Sequence, residues 1–178
     1  LAPRGIDACG RVLGNRAGLN GHDQPFVAEA ADRIEPLDFT ASARASAFGG
    51  CGEIVGRLLG EGASRAVTLI DGIVAPLPLP DAFDDETTRS FAAAAYADRR
   101  IAGWMIPEDG GAIPLVWHDG EVRVLPAFAD LTHGYPASIL DDGSIAGEAR
   151  CTDGGIYPIC WRNGNAELLD TPHGYGRV

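Results

Sequence analysis

The stretch "IAGWMIPEDGGAIPLVWHDG" runs from Ile101 to Gly120, and "IAGEARCTDGGIYPICWRNG" runs from Ile145 to Gly164. The two align without a gap at an offset of 44 residues. Upstream, "DRRIAG" at 98–103 matches "DGSIAG" at 142–147, while "CGRVLG" ends at Gly14 and "CGEIVG" at Gly56. Gly14, Gly56, Gly103 and Gly147 therefore mark one position in four units, spaced by 42, 47 and 44 residues. A period in the low-to-mid forties is that of propeller blades, each built from four strands.

Each unit divides into four short strands. The first precedes a Gly-rich turn: "RGIDACG", "SAFGGCG", "AAAYADR" and "ASILDDG". The second carries the marker glycine. The third is "PFVAE", "AVTLI", "PLVWH" or "PICWR". A tight turn follows at Asp71-Gly72, Asp119-Gly120 and Asn163-Gly164, residue pairs that supply the positive φ of a two-residue hairpin. The fourth strand is "RIEPLD", "IVAPLP", "EVRVLP" or "NAELLD". The Ala-rich run 92–97 has helical composition but stands in register with a first strand. The expected fold is an all-β propeller of four blades, each with four antiparallel strands. The blades fall at about 1–40, 41–85, 86–130 and 131–172.

Residues 173–178, "HGYGRV", restate the beginning of a first strand, parallel to "HGYPAS" at 133–138. Three readings follow: the tail closes the ring beside the N-terminal strand, the protein continues, or four blades form part of a larger ring closed by a second chain. The last makes self-association an expected partnership. The acidic insertion "PDAFDDETTRS" at 80–90 explains the longest spacing. It reads as a solvated loop, because its carboxylates lack the alternating spacing of a calcium loop.

The bulk composition narrows the function. Hydrophobic residues make up 46% of the 178, enough to form a core. The net charge of −11 disfavours nucleic acid and anionic membrane surfaces as partners. No apolar run approaches the length of a transmembrane helix. All 14 basic residues are arginine, and the bias toward Ala, Gly, Arg and Asp favours a GC-rich bacterial genome.

The pattern carried by "ASILDDGSIAG…YPICWRNGNAELLD" and "IAG…IPLVWHDGEVRVLP" resembles the HAF-type repeat of bacterial extracellular proteins. The resemblance implies a propeller-like β-sheet array and defines no catalytic residues. The first two units depart from it, with Ala28 and Leu69 at the Trp117/Trp161 position. It would place the chain outside the cell, whereas a biosynthetic enzyme would be cytoplasmic.

In a propeller the first strands line the central channel, so residues leading into them are the ligand-site candidates. These are His133 and Tyr135, His173 and Tyr175, Arg44, and Arg89 with Phe91; Arg4 and Arg177 fall one position further in. Such a mouth suits an anionic or aromatic ligand, and histidine there suits acid–base chemistry near neutral pH. A recurring His-Gly-Tyr is also what a purely architectural turn would show. Trp104 follows its marker glycine where other units have Asn15, Arg57 and Glu148, and this variability makes it a further contact candidate. Two functions remain open. One is a binding module with its site at the channel mouth. The other is a small cofactor-independent enzyme, a cyclase, isomerase or lyase, using His, Tyr and Arg there.

Trp117 and Trp161 are expected to anchor the blade-to-blade core. His118 adjoins a hairpin turn and His22 lies in a loop; both read as surface residues. Cys151 and Cys160 flank one hairpin and are the candidate disulfide; Cys9 and Cys51, on equivalent turns of neighbouring blades, are too far apart. No Cys/His spacing suggests a metal, and no cofactor motif occurs.

Overall fold

A computed structural model describes residues 2–18, 23–30, 32–37, 42–60, 64–84, 86–108, 110–128 and 130–169. It contains four separate four-stranded antiparallel sheets, one per repeat unit. The first holds β1 (Ala2–Ile6), β2 (Val12–Ala17), β3 (Asp23–Ala30) and β4 (Arg33–Pro36). The second holds β5 (Ala43–Phe48), β6 (Ile54–Leu59), β7 (Ser64–Ile70) and β8 (Ile73–Pro76). The third holds β9 (Arg89–Ala95), β10 (Ile101–Ile106), β11 (Ile113–His118) and β12 (Glu121–Val124). The fourth holds β13 (Leu131–Ile139), β14 (Ile145–Cys151), β15 (Ile156–Arg162) and β16 (Asn165–Leu168). Strands follow chain order in each sheet, as in an all-β propeller with four blades of four strands. The Ala-rich run lies in β9 and its turn.

The hairpins between third and fourth strands are where the sequence puts them. Asp71-Gly72, Asp119-Gly120 and Asn163-Gly164 all have φ between +50° and +80°. The first strands, in contrast, start and end earlier than expected. Each is followed by a five-residue loop, so "DACG", "GGCG" and "DDG" belong to turns. Carboxylates hold several of these loops: Asp7 Oδ1 accepts from the amides of Cys9 and Arg11, and Asp142 Oδ1 from that of Ser144. An Asp that caps its own backbone in this way favours a turn over a strand.

Every first strand also carries a one-residue register shift opposite the marker glycine. The extra residues are Arg4, Ser46, Ala93 and Ala137. Such a bulge bends the strand and re-aims its side chains. The glycine is required by proximity. A Cβ on Gly103 would lie 1.9 Å from the Phe91 carbonyl oxygen, and one on Gly56 2.1 Å from that of Arg44.

Three apolar clusters each join consecutive blades. Leu13, Val27, Ala45, Ile54 and Leu69 join the first two. Val55, Leu77, Met105, Leu115 and Trp117 join the second and third. Ala102, Leu125, Ile145, Ile159 and Trp161 join the last two. Trp117 and Trp161 are buried in these joints as expected. The 80–90 loop is less solvated than its composition suggests: Phe83 packs against the core and Thr88 is buried. Among the described residues no cluster joins the fourth blade to the first.

The candidate Cys151–Cys160 disulfide is not formed. Cys151 and Cys160 are both free thiols. Cys160 pairs with Ala146 across the hairpin, five residues along β14 from Cys151. At about 3.3 Å per residue the two are far beyond the roughly 7 Å Cα separation a disulfide allows. Burial pushes the Cys151 thiol above its ordinary pKa, which further lowers its reactivity.

Candidate functional site

The first strands converge: β5 contacts β1 and β9, and β9 contacts β13. Paired positions on the first and second strands face this inner region, and there the four units differ most. Arg44 pairs with Arg57, Phe91 with Trp104, and Tyr135 with Glu148. Asn15, the first-blade equivalent of Trp104, does structural work instead. Its side-chain amide donates to the Ala45 carbonyl at 2.9 Å and its oxygen accepts the Ala45 N–H at 2.8 Å, tying two blades together.

A line of rings crosses the third and fourth blades, with an arginine of the second at its end. The Arg57 guanidinium lies 4.8 Å from the Phe91 ring centroid. Phe91 stacks on Trp104 at 5.2 Å and 17°, and Trp104 meets Tyr135 edge-on at 5.4 Å and 82°. Tyr135 stacks on His133 at 6.1 Å, with the Arg150 guanidinium 5.7 Å from the Tyr135 centroid. These separations are those of favourable aromatic and cation–π contacts. His133 Nδ1 lies 3.0 Å from the Thr132 hydroxyl, which itself donates to the Arg150 carbonyl.

Beside the Arg57 end of this line lies a cleft of about 380 Å³, lined by Arg4, Arg44, Arg57, Phe91 and Trp104 together with the inner backbone. Three of the bulge residues, Arg4, Ser46 and Ala93, are in its wall. Its electrostatics are uneven. Arg44 is paired with the Asp23 carboxylate. Arg4 and Arg57 have no ion-pair partner among the described residues. Burial, and next the positive charge of Arg44, pull Arg57 below the ordinary arginine pKa; Arg4 adds to this and Asp23 opposes it. A chain of net charge −11 therefore keeps a local excess of positive charge here.

The structure brings together Arg4, Arg44 and Trp104 in the cleft, with Tyr135 and His133 continuing the ring line. Arg89 is exposed at the start of β9 and does not line the cleft. His173, Tyr175 and Arg177 lie outside the described residues, as does His22. Arg57, which lines the cleft, and Arg150, which lies over Tyr135, are residues that the sequence did not single out as candidates. Arg57 was visible only as the unit-specific counterpart of Trp104. Arg150 lies inside the aligned stretch, opposite Ile106 of the third unit, but only the packing of β14 against β13 sets its guanidinium over Tyr135. Among the described residues no group of three His, Cys, Asp or Glu side chains is placed to hold a metal ion.

The fold is that of a β-propeller module, and solved structures bear this out. The chain is similar to a protein described as TolB from Agrobacterium tumefaciens, with TM-score 0.73 and 12% identity over 93% of this chain and 63% of that one. It is also similar to TolB from Acinetobacter baumannii, with TM-score 0.66 and 14% identity over 95% of this chain and 43% of that one. The β-propeller domain of the Trilobed protease from Pyrococcus furiosus, which has an open velcro topology, aligns with TM-score 0.62 and 12% identity, covering 92% and 49%. The chain thus spans less than two thirds of each of these proteins. No family model and no curated protein matches it.

Proposed function

We propose that this chain is a small-molecule- or partner-binding β-propeller module, HAF-type in its repeat, whose ligand site is the inner cleft and the ring line beside it. The observation that carries this reading is where the units differ. Shared residues, the marker glycines and the hairpin Asp/Asn-Gly pairs, serve the blade. The unit-specific residues Arg44, Arg57, Phe91, Trp104 and Tyr135 collect on the converging first and second strands. Half-buried aromatic rings beside Arg4 and Arg57, which have no ion-pair partner among the described residues, are an arrangement that structure alone does not require.

The test is a fragment screen, spanning neutral, cationic and anionic compounds, followed through the Trp104 indole N–H resonance. Hits that shift this signal, and whose calorimetric affinity weakens in Trp104→Ala and His133→Ala, support the site. A screen in which no fragment of any charge moves Trp104 would refute it.

A further inference from the structure

Resting on that reading of the cleft as a ligand site, we propose the class of its ligand: a small oxyanion joined to a flat ring, of the aryl carboxylate or aryl phosphate kind. Three guanidinium groups, on Arg4, Arg44 and Arg57, line one cleft and have one carboxylate, Asp23, between them. Without a ligand their charges repel one another, and an oxyanion relieves that repulsion while accepting paired N–H bonds from the guanidinium forks. The stacked Phe91–Trp104 pair forms the adjoining wall and brings apolar ring surface to the cleft. The volume of about 380 Å³ suits a one- or two-ring molecule. The Arg4 contribution depends on the bulge, which places a cation of the first blade beside residues of the second and third.

The probes are benzoate, phenyl phosphate, benzyl alcohol, benzylamine, acetate and inorganic phosphate, followed by quenching of Trp104 fluorescence. Trp104→Phe identifies the signal, since Trp117 and Trp161 are buried. Benzoate or phenyl phosphate is expected to bind about 10-fold or more tightly than the neutral ring or the ringless anion. Arg57→Gln should remove about 10-fold in affinity, Arg57→Lys less, and added salt should weaken binding. Arg44→Gln provides a second, more exposed variant should Arg57→Gln unfold. Benzyl alcohol or benzylamine binding as well as benzoate overturns the ligand class but leaves the site standing. Acetate or phosphate binding as well as their aryl forms removes the ring from the proposal. Anionic rings that fail while other fragments shift Trp104 overturn the class alone.

A second inference rests on the blade joints. Leu37, Leu77, Leu125 and Leu169 are repeat equivalents, each donating its N–H back to the third strand of its own blade at 2.9 Å. Leu77 and Leu125 are buried under the next blade, whereas Leu169 is 45% exposed. At the other end Ile6 is 69% exposed, while its equivalents Phe48, Ala95 and Ile139 pack in joints. Among the described residues, exposed Leu169 and Ile6 are thus the two complementary halves of a joint already made three times within the chain. We infer that they are covered by a second copy of this chain, the fourth blade of one docking on the first blade of the other, twice, to close a ring. Sedimentation from about 1 to 100 µM is expected to show a dimer, and Leu169→Glu and Ile6→Glu each to give monomers with unchanged circular dichroism. A monomer throughout that range overturns the inference and assigns the faces to blades from another source. A dimer indifferent to both substitutions also overturns it.

Discussion

The Trp117 indole Nε1 donates to the carbonyl oxygen of Pro78 at 2.7 Å. This bond ties the third blade to the segment leaving the second, directly after the buried Leu77. Trp161 repeats it with Pro126 at 3.0 Å. The first joint has Leu69 at the equivalent place and makes no such bond. Trp117→Phe is therefore expected to cost about 1–2 kcal/mol, from a lost hydrogen bond and some packing, and Trp117→Ala about 3–5 kcal/mol. Denaturant midpoints at constant m-value give the measurement. A Trp117→Phe variant as stable as the parent would show that the indole bond contributes nothing net.

The loops after the first strands each place their fourth residue at positive φ. Gly10, Gly52 and Gly143 occupy three of these places, but the third blade has Arg99 at φ +64°. Its left-handed backbone costs about 1 kcal/mol that glycine would not incur. Arg99→Gly should raise the thermal midpoint by about 1–2 °C, about 0.5 kcal/mol after the unfolded-chain entropy of glycine is counted. Gly10→Ala should lower it. A fall for Arg99→Gly would mean that its side chain contributes more than its backbone costs.

Gly103→Ala should be damaging, because the new methyl meets a backbone oxygen rather than a movable side chain. The expected loss is about 1–3 kcal/mol. The displaced atom is the Phe91 carbonyl, so ligand quenching of Trp104 should fall in the same variant. Gly14→Ala should disturb the backbone less: its nearest carbonyl is 3.0 Å away, and the closest atoms belong to the Phe26 ring.

Much of the blade was legible from sequence, because repeated residues report shared geometry. Asp119-Gly120 and Asn163-Gly164 mark hairpins through backbone chemistry alone, and Trp117 and Trp161 mark joints through size. The first strands were misplaced because Asp7, Asp98 and Asp142 fold the chain back on itself by capping, which no apolar alternation reveals. The cleft was half legible. Arg4, Arg44 and Trp104 are recognisable as residue types, but the place of Arg4 beside the other two depends on a bulge, which shifts register without leaving a composition signal. Arg57 escaped for a related reason, since only the pairing of β6 with β5 sets it beside Arg44.

Acid should destabilise the protein through these same loop carboxylates. The Ser144 hydroxyl and amide hold Asp142 below the ordinary carboxylate pKa; at Asp98 burial acts in the opposite direction but is outweighed by hydrogen bonds from Arg100. A folded pKa below the unfolded one means that the contribution is present above about pH 4 and is lost as pH falls through the folded value. Thermal midpoints should therefore drop below about pH 4. Asp142→Asn should be less stable than the parent at pH 7 and converge with it in acid. Parallel curves for the two proteins at all pH values would argue against this linkage.

Because each joint buries one blade's trailing face under the next blade's leading face, the two middle blades are clamped from both sides and the outer two from one. A protomer on its own should therefore have a gradient of local stability rather than one cooperative value. Amide hydrogens of β6, β7, β10 and β11 should exchange with solvent last. Those of β1, β4 and β16 should exchange first, and pairing with a second copy should slow the ends selectively. The core around Val55, Met105 and Trp117 then becomes the segment that survives partial unfolding, and the inner cleft beside it would outlast the rim of the arc.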